Sequence, residues 1–450
     1  MPSHDARTGS ETPVTTVVDV TSAAGTGRRR QDAVYRAGVY GRHPRVPTVY
    51  RALAREARRR LDARAYGYVA GGAGDEATQR ADRMAFDAWS VVPRVLRDVS
   101  RRDTSVELFG RRLPAPVLLG PVGALELVHP EADLAVARAA AAVGVPMVFS
   151  NQASVPLEIT AGAMGDSPRW MQLYWSTSDE LVESLLGRAE AAGCEAVVVT
   201  LDTTMLGWRP RDLDLGHLPF ALGKGIAQYT SDPVFRRLVE QRAVAAPPRD
   251  PQPRPTVSAV RAMVGMARAW STATGMPVRE ALRSPLPRAA VEVFLGIYSR
   301  PSITWADLAW LRSRTTLPVV LKGVLHPDDA RRAVEEGVDG VVVSTHGGRQ
   351  VDRSIASLDA LPDVVDAVGD RIPVLFDSGI RSGADVLVAL ALGARAALLG
   401  RPYAWGLGLA GEAGVRQVVE DVIGEFDLTL GLTGHTAVGQ LTREVLRRTR

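Results

Sequence analysis

Residues 318–345, with the sequence PVVLKGVLHPDDARRAVEEGVDGVVVST, contain two short apolar runs on either side of a helical pattern. The runs begin at Pro318 and Gly340, and the pattern between them has Pro327 in its first turn and Gly337 after its last. Proline just inside the start and glycine just past the end are typical of a helix. A strand that is apolar at successive positions is buried on both faces, as in a parallel sheet covered by helices. The segment therefore predicts a strand–helix–strand unit.

The same unit repeats along the chain. Eight apolar runs lie at residues 116–122, 146–150, 169–175, 196–202, 318–324, 340–345, 373–379 and 396–402. Their spacing is roughly 22 to 33 residues with one exception, and eight such units close into an α/β fold of the (β/α)8 or TIM-barrel type. A doubly wound open sheet is the alternative fold.

The exception is a long insertion, residues 203–303, between the fourth and fifth runs. It is rich in Pro, Arg, Ala and Ser, and part of it, residues 245–258, is expected to be disordered. Loops that follow barrel strands lie on the catalytic face, so the insertion is expected to form a lid or an ordering segment over the site.

The other boundaries follow from local patterns. Residues 1–45 have little periodicity and are interpreted as a mobile N-terminal extension. Residues 46–110 form an N-terminal helical segment, because Tyr50, Leu53, Ala57 and Leu61 share one helix face. In that segment the glycine-rich stretch 66–75 is too flexible for a helix interior. The barrel occupies residues 111–430, and a C-terminal helix residues 431–450.

The composition excludes several classes of protein. Apolar residues make up 46% of the chain and charged residues 23%, which excludes collagen, a coiled coil and wholesale disorder. Lys and Arg number 54 against 50 Asp and Glu, and the arginine clusters at 28–30 and 58–60 have no interleaved aromatic residues. Nucleic acid is therefore not expected as a partner.

The expected location is the cytoplasm. A single cysteine, Cys194, excludes an internal disulfide and suits a reducing compartment. No apolar run approaches the roughly 18 residues of a membrane span, and no secretory signal follows the N-terminus. A membrane partner is therefore not expected either.

Glycines and arginines after the last two runs predict a phosphate site. Gly379 and Gly400 let backbone N–H groups approach an anion, and Arg381 and Arg401 offer guanidinium groups. Ser382 opens a helix whose N-terminus favours negative charge. The loops after strands 7 and 8 of such barrels commonly bind phosphate, so a phosphorylated cofactor or substrate is expected.

Histidine, lysine and aspartate at other strand ends predict acid–base chemistry. His346 follows a buried run directly and has Arg349 three residues on, an arrangement suited to taking a proton from an anionic substrate. Asp202 could orient that imidazole, and Lys322 would place a fixed positive charge nearby. No spacing of His, Cys and carboxylates suggests a metal, and no Gly-x-Gly-x-x-Gly motif suggests a nicotinamide site.

At these residues the chain resembles the FMN-dependent 2-hydroxy-acid oxidising family, and within it the lactate 2-monooxygenase branch. The resemblance runs from about residue 47 to the C-terminus. The motifs that carry it are STHGGRQ at 344–350, DSGIR at 377–381, GWRPRDL at 207–213 and YTSDP at 229–233.

The resemblance implies a role for each matching residue. His346 matches the catalytic base and Asp202 its partner, and Lys322 matches the lysine at one edge of the flavin. The substrate contacts match Tyr68, Tyr174, Arg209 and Arg349, with Gln152 in the substrate pocket. The FMN contacts match Val122, Gly123, Ser150, Gln172, Thr200, Ser344, Asp377, Gly379, Arg381, Gly400 and Arg401.

Two of these positions depart from the usual pattern of the family. Gln152 stands where an aromatic or aliphatic residue is usual, which leaves the preferred substrate side chain open. Gly123 replaces the alanine common in the oxidases and agrees with lactate 2-monooxygenase.

The implied function is FMN-dependent oxidation of an L-2-hydroxy acid to the 2-oxo acid, or to its decarboxylated product, with molecular oxygen as acceptor. A homo-oligomer, a tetramer or larger, is expected by resemblance. Two alternatives stay open: an FMN-dependent dehydrogenase of a biosynthetic pathway with a larger substrate and a different acceptor, and a catalytically silent binding or scaffold barrel.

Overall fold

Eight parallel strands form a closed barrel in a computed structural model that describes residues 25–245 and 256–449. The neighbour order around the barrel is β4-β5-β6-β7-β8-β9-β10-β11, closed by pairing of β11 with β4. All eight lie inside the predicted apolar runs, so the TIM barrel is confirmed and the open sheet excluded. The strands are β1 Trp89–Val91, β2 Val106–Leu108, β3 Arg111–Leu113, β4 Val117–Leu119, β5 Met147–Phe149, β6 Arg169–Leu173, β7 Val197–Thr200, β8 Val319–Lys322, β9 Gly340–Val343, β10 Val374–Phe376, β11 Ala396–Leu399 and β12 Leu446–Arg448.

Helices cover the outside of the barrel and build the insertion. In the described part of the chain they are α1 Thr26–Val39, α2 Tyr50–Arg60, α3 Ala63–Ala70, α4 Ala77–Asp87, α5 Ala132–Val143, α6 Leu157–Met164, α7 Asp179–Ala191, α8 Pro210–Asp214, α9 Ala227–Thr230, α10 Pro233–Val244, α11 Val257–Thr274, α12 Val278–Ala281, α13 Leu286–Ile297, α14 Asp307–Arg312, α15 Pro327–Glu335, α16 Ser357–Val368, α17 Gly383–Ala391 and α18 Arg401–Leu432.

The strand register sets the height of the polar residues at the barrel mouth. Most residues of the barrel strands are fully buried, which explains why the runs are continuously apolar. Thr200 at the end of β7 is paired with Lys322 at the end of β8. Side chains that end neighbouring parallel strands therefore meet at one edge, the catalytic face of such a barrel.

The opposite end of the barrel is closed by the β2–β3 hairpin. Val106, Leu108 and Leu113 of the hairpin pack in one cluster with the inward-facing side chains of the barrel strands, including Leu118 and Trp170. The expected boundary between residues 110 and 111 falls inside this hairpin, so the hairpin belongs structurally to the barrel floor.

The N-terminal extension is helical in its described part, which corrects the expectation of a mobile segment. Residues 1–24 lie outside the described residues, but α1 packs along α18. Gly27 N donates to Asp427 at 2.8 Å, and Arg30 Nε pairs with Asp421 at 2.7 Å. A Cβ on Gly27 would lie 2.3 Å from the carbonyl of Gly424, so the close helix contact requires glycine. The helix is held by small residues and ion pairs, which leave no apolar periodicity to detect.

The expected C-terminal helix over residues 431–450 is wrong. The long helix α18 ends at Leu432, and the chain turns at Gly434, which has a positive φ of 81°. β12 then pairs antiparallel with β1. The side chain of any other residue at position 434 would meet the carbonyl of Arg94 at 2.5 Å, so the turn is tightly packed.

The stretch 66–75 was expected to be too flexible for a helix, but its first half lies in α3. The Asp62 side chain caps this helix by accepting from the backbone N–H groups of Arg64 and Ala65. A Cβ on Gly67 would make an ordinary contact with Leu215 at 3.4 Å, so packing does not require glycine there. The cap outweighs the low helix propensity of glycine.

The insertion forms the helices from α8 to α13. Its aromatic core joins Phe220, Tyr229 and Phe294, with ring centroids of the last two 4.8 Å apart. Asp232 caps α10 and also binds Arg188 of α7 at 3.1 Å, which anchors the insertion to the barrel wall. Of the stretch expected to be disordered, residues 246–255 lie outside the described residues, whereas 257 and 258 begin α11.

Candidate active site

His346 lies at the barrel mouth, three residues after β9 ends, in a loop of three left-handed residues. The φ angles of His346, Gly347 and Gly348 are 56°, 65° and 70°. A Cβ on Gly348 would lie 2.6 Å from the backbone nitrogen of Gln79, so α4 presses directly on this loop. The loop therefore holds the imidazole in a strained, fixed position.

The imidazole is bound to Asp202, two residues beyond the end of β7. His346 Nδ1 lies 2.8 Å from Asp202 Oδ1, which also accepts from the Thr203 hydroxyl at 2.9 Å. Burial lowers the pKa of His346, although Asp202 acts to raise it. Burial would raise the pKa of Asp202, but the charges of His346 and Lys322 lower it to about 2. Asp202 is thus ionised and the imidazole is neutral. Because Asp202 binds Nδ1, Nε2 is the ring nitrogen that remains available to a ligand in the cleft.

Lys322 is a buried cation at the end of β8. It is 3% exposed, and its Nζ lies 3.0 Å from Asp377 Oδ2, 4.0 Å from Asp202 Oδ2 and 2.9 Å from the Ser344 hydroxyl. Burial acts to lower the pKa of Lys322, but Asp377 and Asp202 outweigh it and raise the pKa. Lys322 is therefore a permanent positive charge at the floor of the cleft.

Arg209 and Arg349 bring two guanidinium groups to the rim of the cleft. Arg209 Nε donates to the Arg349 carbonyl at 3.1 Å and its Nη2 to Gln350 Oε1 at 2.6 Å. Arg349 donates to the carbonyls of Tyr68 and Gly71. Neither has a carboxylate partner in the described residues, and burial and then Arg349 lower the pKa of Arg209 to about 10. Two cations with only neutral partners form a site for a carboxylate.

Two tyrosines and a glutamine border the same space. Tyr68 on α3 and Tyr174 after β6 are each 5% exposed. Burial raises the pKa of Tyr174 to about 12, and burial also raises the pKa of Tyr68. Both hydroxyls therefore stay protonated and can donate. A Cβ on Gly123 would lie 3.0 Å from Gln152 Cβ and 3.3 Å from the Tyr68 hydroxyl, so glycine lets these groups approach.

The floor of the cleft is a chain of hydrogen bonds across strand ends. The Ser150 hydroxyl donates to Gln172 Oε1 at 3.3 Å, and Gln172 Nε2 donates to Thr200 Oγ1 at 3.1 Å. Val122 and Ser150 line the cleft. Among the described residues the lining does not include Gln172, Thr200, Asp202 or Ser344, which lie just behind it.

The far end of the cleft is rich in unneutralised positive charge. Arg401 donates to the carbonyls of Val69, Gly347 and Gly71 and to the Gln79 amide oxygen. Arg381 stacks over the Tyr50 ring at 4.6 Å, and its buried Nε has no hydrogen-bond partner among the described residues. Burial and the neighbouring Arg381 lower the pKa of Arg401 to about 9.

These residues fit the phosphate end of FMN. An orphaned guanidinium nitrogen beside a second buried cation is the environment that a phosphate dianion completes. Gly379 and Gly400 border the same end, and α18 begins at Arg401. The expected helix N-terminus at Ser382 does not contribute, because Gly383 N already donates to Glu425 Oε2 at 2.9 Å.

The structure brings together nearly all of the predicted residues and adds others, among them Ser378, Leu206 and Tyr298. Ser378 has a hydroxyl that accepts from the backbone N–H of Gly347 at 2.9 Å and so supports the histidine loop. Leu206 and Tyr298 of the insertion also line the cleft. Ser378 lies inside a quoted motif, so its position was a usable signal, whereas Leu206 and Tyr298 lie in an insertion without strand register.

Residues 25–245 and 256–449 contain neither a metal-ligand cluster nor a membrane-spanning helix. No group of three or more His, Cys, Asp or Glu side chains is placed to hold a metal ion. No helix there combines the length and the apolar character that crossing a bilayer requires.

Comparisons with known proteins find relatives along most of the chain. The model of the FMN-dependent dehydrogenase family matches residues 57–448. The chain is 41% identical over 419 residues to the FMN-dependent alpha-hydroxy acid dehydrogenase qulF of Penicillium citrinum, covering 93% of this chain and 95% of that one. It is 39% identical to an L-lactate oxidase of Lysinibacillus sphaericus, over 87% of this chain and 90% of the relative.

A solved structure of a mandelate oxidase with (S)-4-hydroxymandelic acid matches with a TM-score of 0.72 and 37% identity. The match covers 89% of this chain and 98% of that one. Since the family model spans α3, α4, the whole barrel and β12, the chain belongs to the FMN-dependent dehydrogenase family.

Proposed function

We propose that the chain binds FMN and oxidises an L-2-hydroxy acid to the corresponding 2-oxo acid. The observation that carries the proposal is the joint placement, around one cleft, of the His346–Asp202 pair and of two arginines without a carboxylate partner in the described residues. A neutral base beside a carboxylate-binding pair is what a 2-hydroxy acid requires.

Arg209 and Arg349 bind and orient the substrate carboxylate. Their shared contact fixes the two guanidinium groups relative to each other, since Arg209 donates to the backbone of Arg349. The Tyr68 and Tyr174 hydroxyls remain donors and hydrogen-bond to the substrate. The substrate hydroxyl is thereby directed towards His346, which lines the same cleft.

His346 takes the proton of the substrate hydroxyl at Nε2. Asp202 holds Nδ1 at 2.8 Å and stabilises the imidazolium that results. The lowered pKa of the free imidazole keeps it unprotonated, and ready to accept, at neutral pH.

Lys322, Arg381 and Arg401 would hold the cofactor. FMN supplies the two-electron acceptor for the C–H bond that breaks. Lys322 stabilises negative charge at the floor of the cleft, with Ser150 and the Gln172–Thr200 pair bordering the same floor. Gly379, Gly400 and the two arginines hold the phosphate.

Molecular oxygen is the proposed final acceptor, by likeness to the relative named L-lactate oxidase. A second candidate is a dehydrogenase that passes electrons to another acceptor, which the relative named alpha-hydroxy acid dehydrogenase supports. Oxygen consumption during turnover separates the two. Self-association and a cytoplasmic location stay predictions.

Anaerobic bleaching of the flavin tests the proposal. The purified protein is loaded with FMN and mixed without oxygen with L-lactate, glycolate, L-mandelate and longer 2-hydroxy acids. Loss of the yellow absorbance with at least one of them is expected. A protein that takes up no FMN, or a bound flavin that none of these acids reduces, would refute the proposal.

A further inference from the structure

A further cavity, here called the lid chamber, lies between the insertion and α3. Its volume is about 720 Å³, within the range of pockets that hold small molecules. It lies between α8, residues 216–224 and α11. Most of its lining is apolar, and five charged or titratable residues lie among the lining side chains: Arg64, Asp212, His217, Lys224 and Arg261. None of these five belongs to the site proposed above.

The lid chamber shares a wall with the active-site cleft. Leu206 and Arg209 line both cavities. Gly207, which follows Leu206, is held tightly, because a Cβ on it would lie 2.6 Å from the Arg349 carbonyl and 2.8 Å from that of Gln350. The wall between the two cavities is therefore the short segment 206–209, here called the partition. Leu206, at the start of this segment, is half-exposed.

Positive charge dominates the chamber. Arg64, Lys224 and Arg261 make no ion pair with any carboxylate in the described residues, and Arg209 adds a fourth cation in the shared wall. Asp212 is the one acidic residue of the described lining. Four cations against one carboxylate favour an anionic occupant.

A buried histidine gives the chamber an unsatisfied polar group. His217 is 6% exposed, and its Nε2 is buried without a hydrogen-bond partner among residues 25–245 and 256–449. Asp212 Oδ1, on the same lining, is also buried and unpartnered there. An unpaired buried polar group is costly, so a ligand whose acidic group hydrogen-bonds to His217 Nε2 is favoured.

We infer that the lid chamber receives the acidic end group of an elongated 2-hydroxy acid whose other end is bound in the cleft. The inference rests on the proposed function and adds a substrate class to it: 2-hydroxy acids with a second, distal carboxylate or phosphate. Arg64, Lys224 and Arg261 neutralise the distal group, and His217 hydrogen-bonds to it. The chain of the substrate passes over Leu206 at the edge of the partition.

Matched pairs of substrates test the inference. L-2-hydroxy acids of increasing chain length are compared with the same acids carrying a terminal carboxylate, by anaerobic flavin bleaching and by kcat/KM. At the length that spans the partition, the diacid is expected to exceed the monoacid by about tenfold, as a close charge pair gives. In Arg261→Gln and Lys224→Gln this ratio is expected to fall towards one. Arg268→Gln, on the same helix but outside the chamber lining, is the control and keeps the ratio.

The other outcomes reject either the role of the lid chamber alone or the proposed function as well. Bleaching by the monoacids with no advantage for any diacid, or a ratio that survives both substitutions, rejects the lid chamber and leaves the proposed function intact. If no 2-hydroxy acid bleaches the flavin, both fall together. Inorganic phosphate is the third arm: if it slows oxidation of a short monoacid in the parent but not in Arg261→Gln, the chamber is a separate anion site and the inference is wrong.

Discussion

Asp82 on α4 accepts a hydrogen bond from the Thr345 hydroxyl, with 2.6 Å between Oδ2 and Oγ1. Its other oxygen accepts from the backbone N–H of Ser357 at 3.0 Å. Thr345 Oγ1 in turn accepts from Gly348 N at 3.1 Å, which closes the loop around His346. A residue of the N-terminal segment therefore positions the histidine loop without touching the cleft itself.

Asp82→Asn is expected to slow flavin reduction by about tenfold while FMN stays bound. An asparagine has one acceptor oxygen for two donors, so either Thr345 or Ser357 loses its partner. Burial raises the pKa of Asp82 to about 6, so the parent also loses this contact as the carboxylate is protonated below pH 6. Stopped-flow reduction between pH 5 and 8 measures both effects.

The pH profile separates positioning from general destabilisation. The parent should lose activity in acid through two groups, His346 and Asp82, and the variant through His346 alone, so its acid limb should be shallower. Asp87→Asn, on the exposed side of the same helix, is the matched control. Identical limbs in parent and Asp82→Asn would show that Asp82 has only a structural role.

His346→Gln is expected to abolish flavin bleaching by substrate without loss of FMN. Glutamine can hydrogen-bond to Asp202 but accepts no proton, and general-base catalysis contributes about 10² to 10⁴ in rate. Anaerobic bleaching and the flavin absorbance after gel filtration are measured together. Undiminished bleaching would remove His346 from the mechanism.

Asp202→Asn is expected to move the acid limb of kcat/KM to lower pH and to reduce its plateau. The Asp202 carboxylate acts to raise the pKa of His346, so its removal lowers that pKa further. The plateau falls because the imidazolium loses its stabilising charge. A limb that moves to higher pH would contradict this assignment.

Arg349→Ala is expected to weaken substrate binding by about 2–5 kcal/mol, the range for truncating one partner of a buried charge pair. Arg349→Lys keeps the charge but loses the planar fork, so it should fall between the parent and the alanine variant. The apparent Kd from anaerobic titration is the readout. Equal Kd values in all three proteins would place the carboxylate elsewhere.

The barrel could be predicted from the sequence because each strand is buried on both faces. Runs such as 340–345 are apolar at successive positions and begin and end at glycine or polar residues, so the position of each strand can be predicted with little ambiguity. The candidate base, its partner and the lysine could be predicted from position, since His346, Asp202 and Lys322 each follow or end a strand. The roles of the remaining substrate and FMN contacts were implied by the resemblance.

Long-range pairing explains what sequence reasoning missed. The α1 helix is held by Asp427 and Asp421, about 400 residues away, and β12 pairs with β1 across the whole chain. The N-terminus of α17 looked free, but Glu425 from α18 occupies it. Contacts between such distant segments leave no periodic trace in either one.

Arg381→Gln is expected to weaken FMN binding by roughly tenfold, because a hydrogen bond between charged groups is worth about 1.5–3 kcal/mol. The orphaned Nε of Arg381 is the group that the phosphate would satisfy. Quenching of FMN fluorescence on titration with the apoprotein gives the Kd. Arg395→Gln, at the opposite end of the barrel, is the control, and a similar Kd in both variants would exclude Arg381 from the phosphate site.

Asp133→Asn is expected to stabilise the protein at pH 8 by up to about 4 kcal/mol. Asp133 on α5 is 1% exposed, and one oxygen, Oδ2, accepts from the backbone N–H groups of Ser154 and Val155. An asparagine oxygen can accept both bonds, so the substitution keeps the contacts and removes the charge. The other oxygen, Oδ1, has no partner among the described residues.

The pH dependence gives this prediction its sign. Burial raises the pKa of Asp133 to about 7, well above the roughly 3.9 of an unfolded aspartate. The folded state therefore binds the proton more tightly, and the parent loses stability as the pH rises from 4 through about 7. The neutral asparagine does not titrate, so the gain in the free energy of unfolding should be large at pH 8 and small at pH 4.

Urea unfolding at both pH values and equal FMN concentration measures this gain, with the exposed Asp166→Asn as control. Parallel stability curves for the parent and Asp133→Asn would show that the carboxyl group is ionised in the fold at little cost.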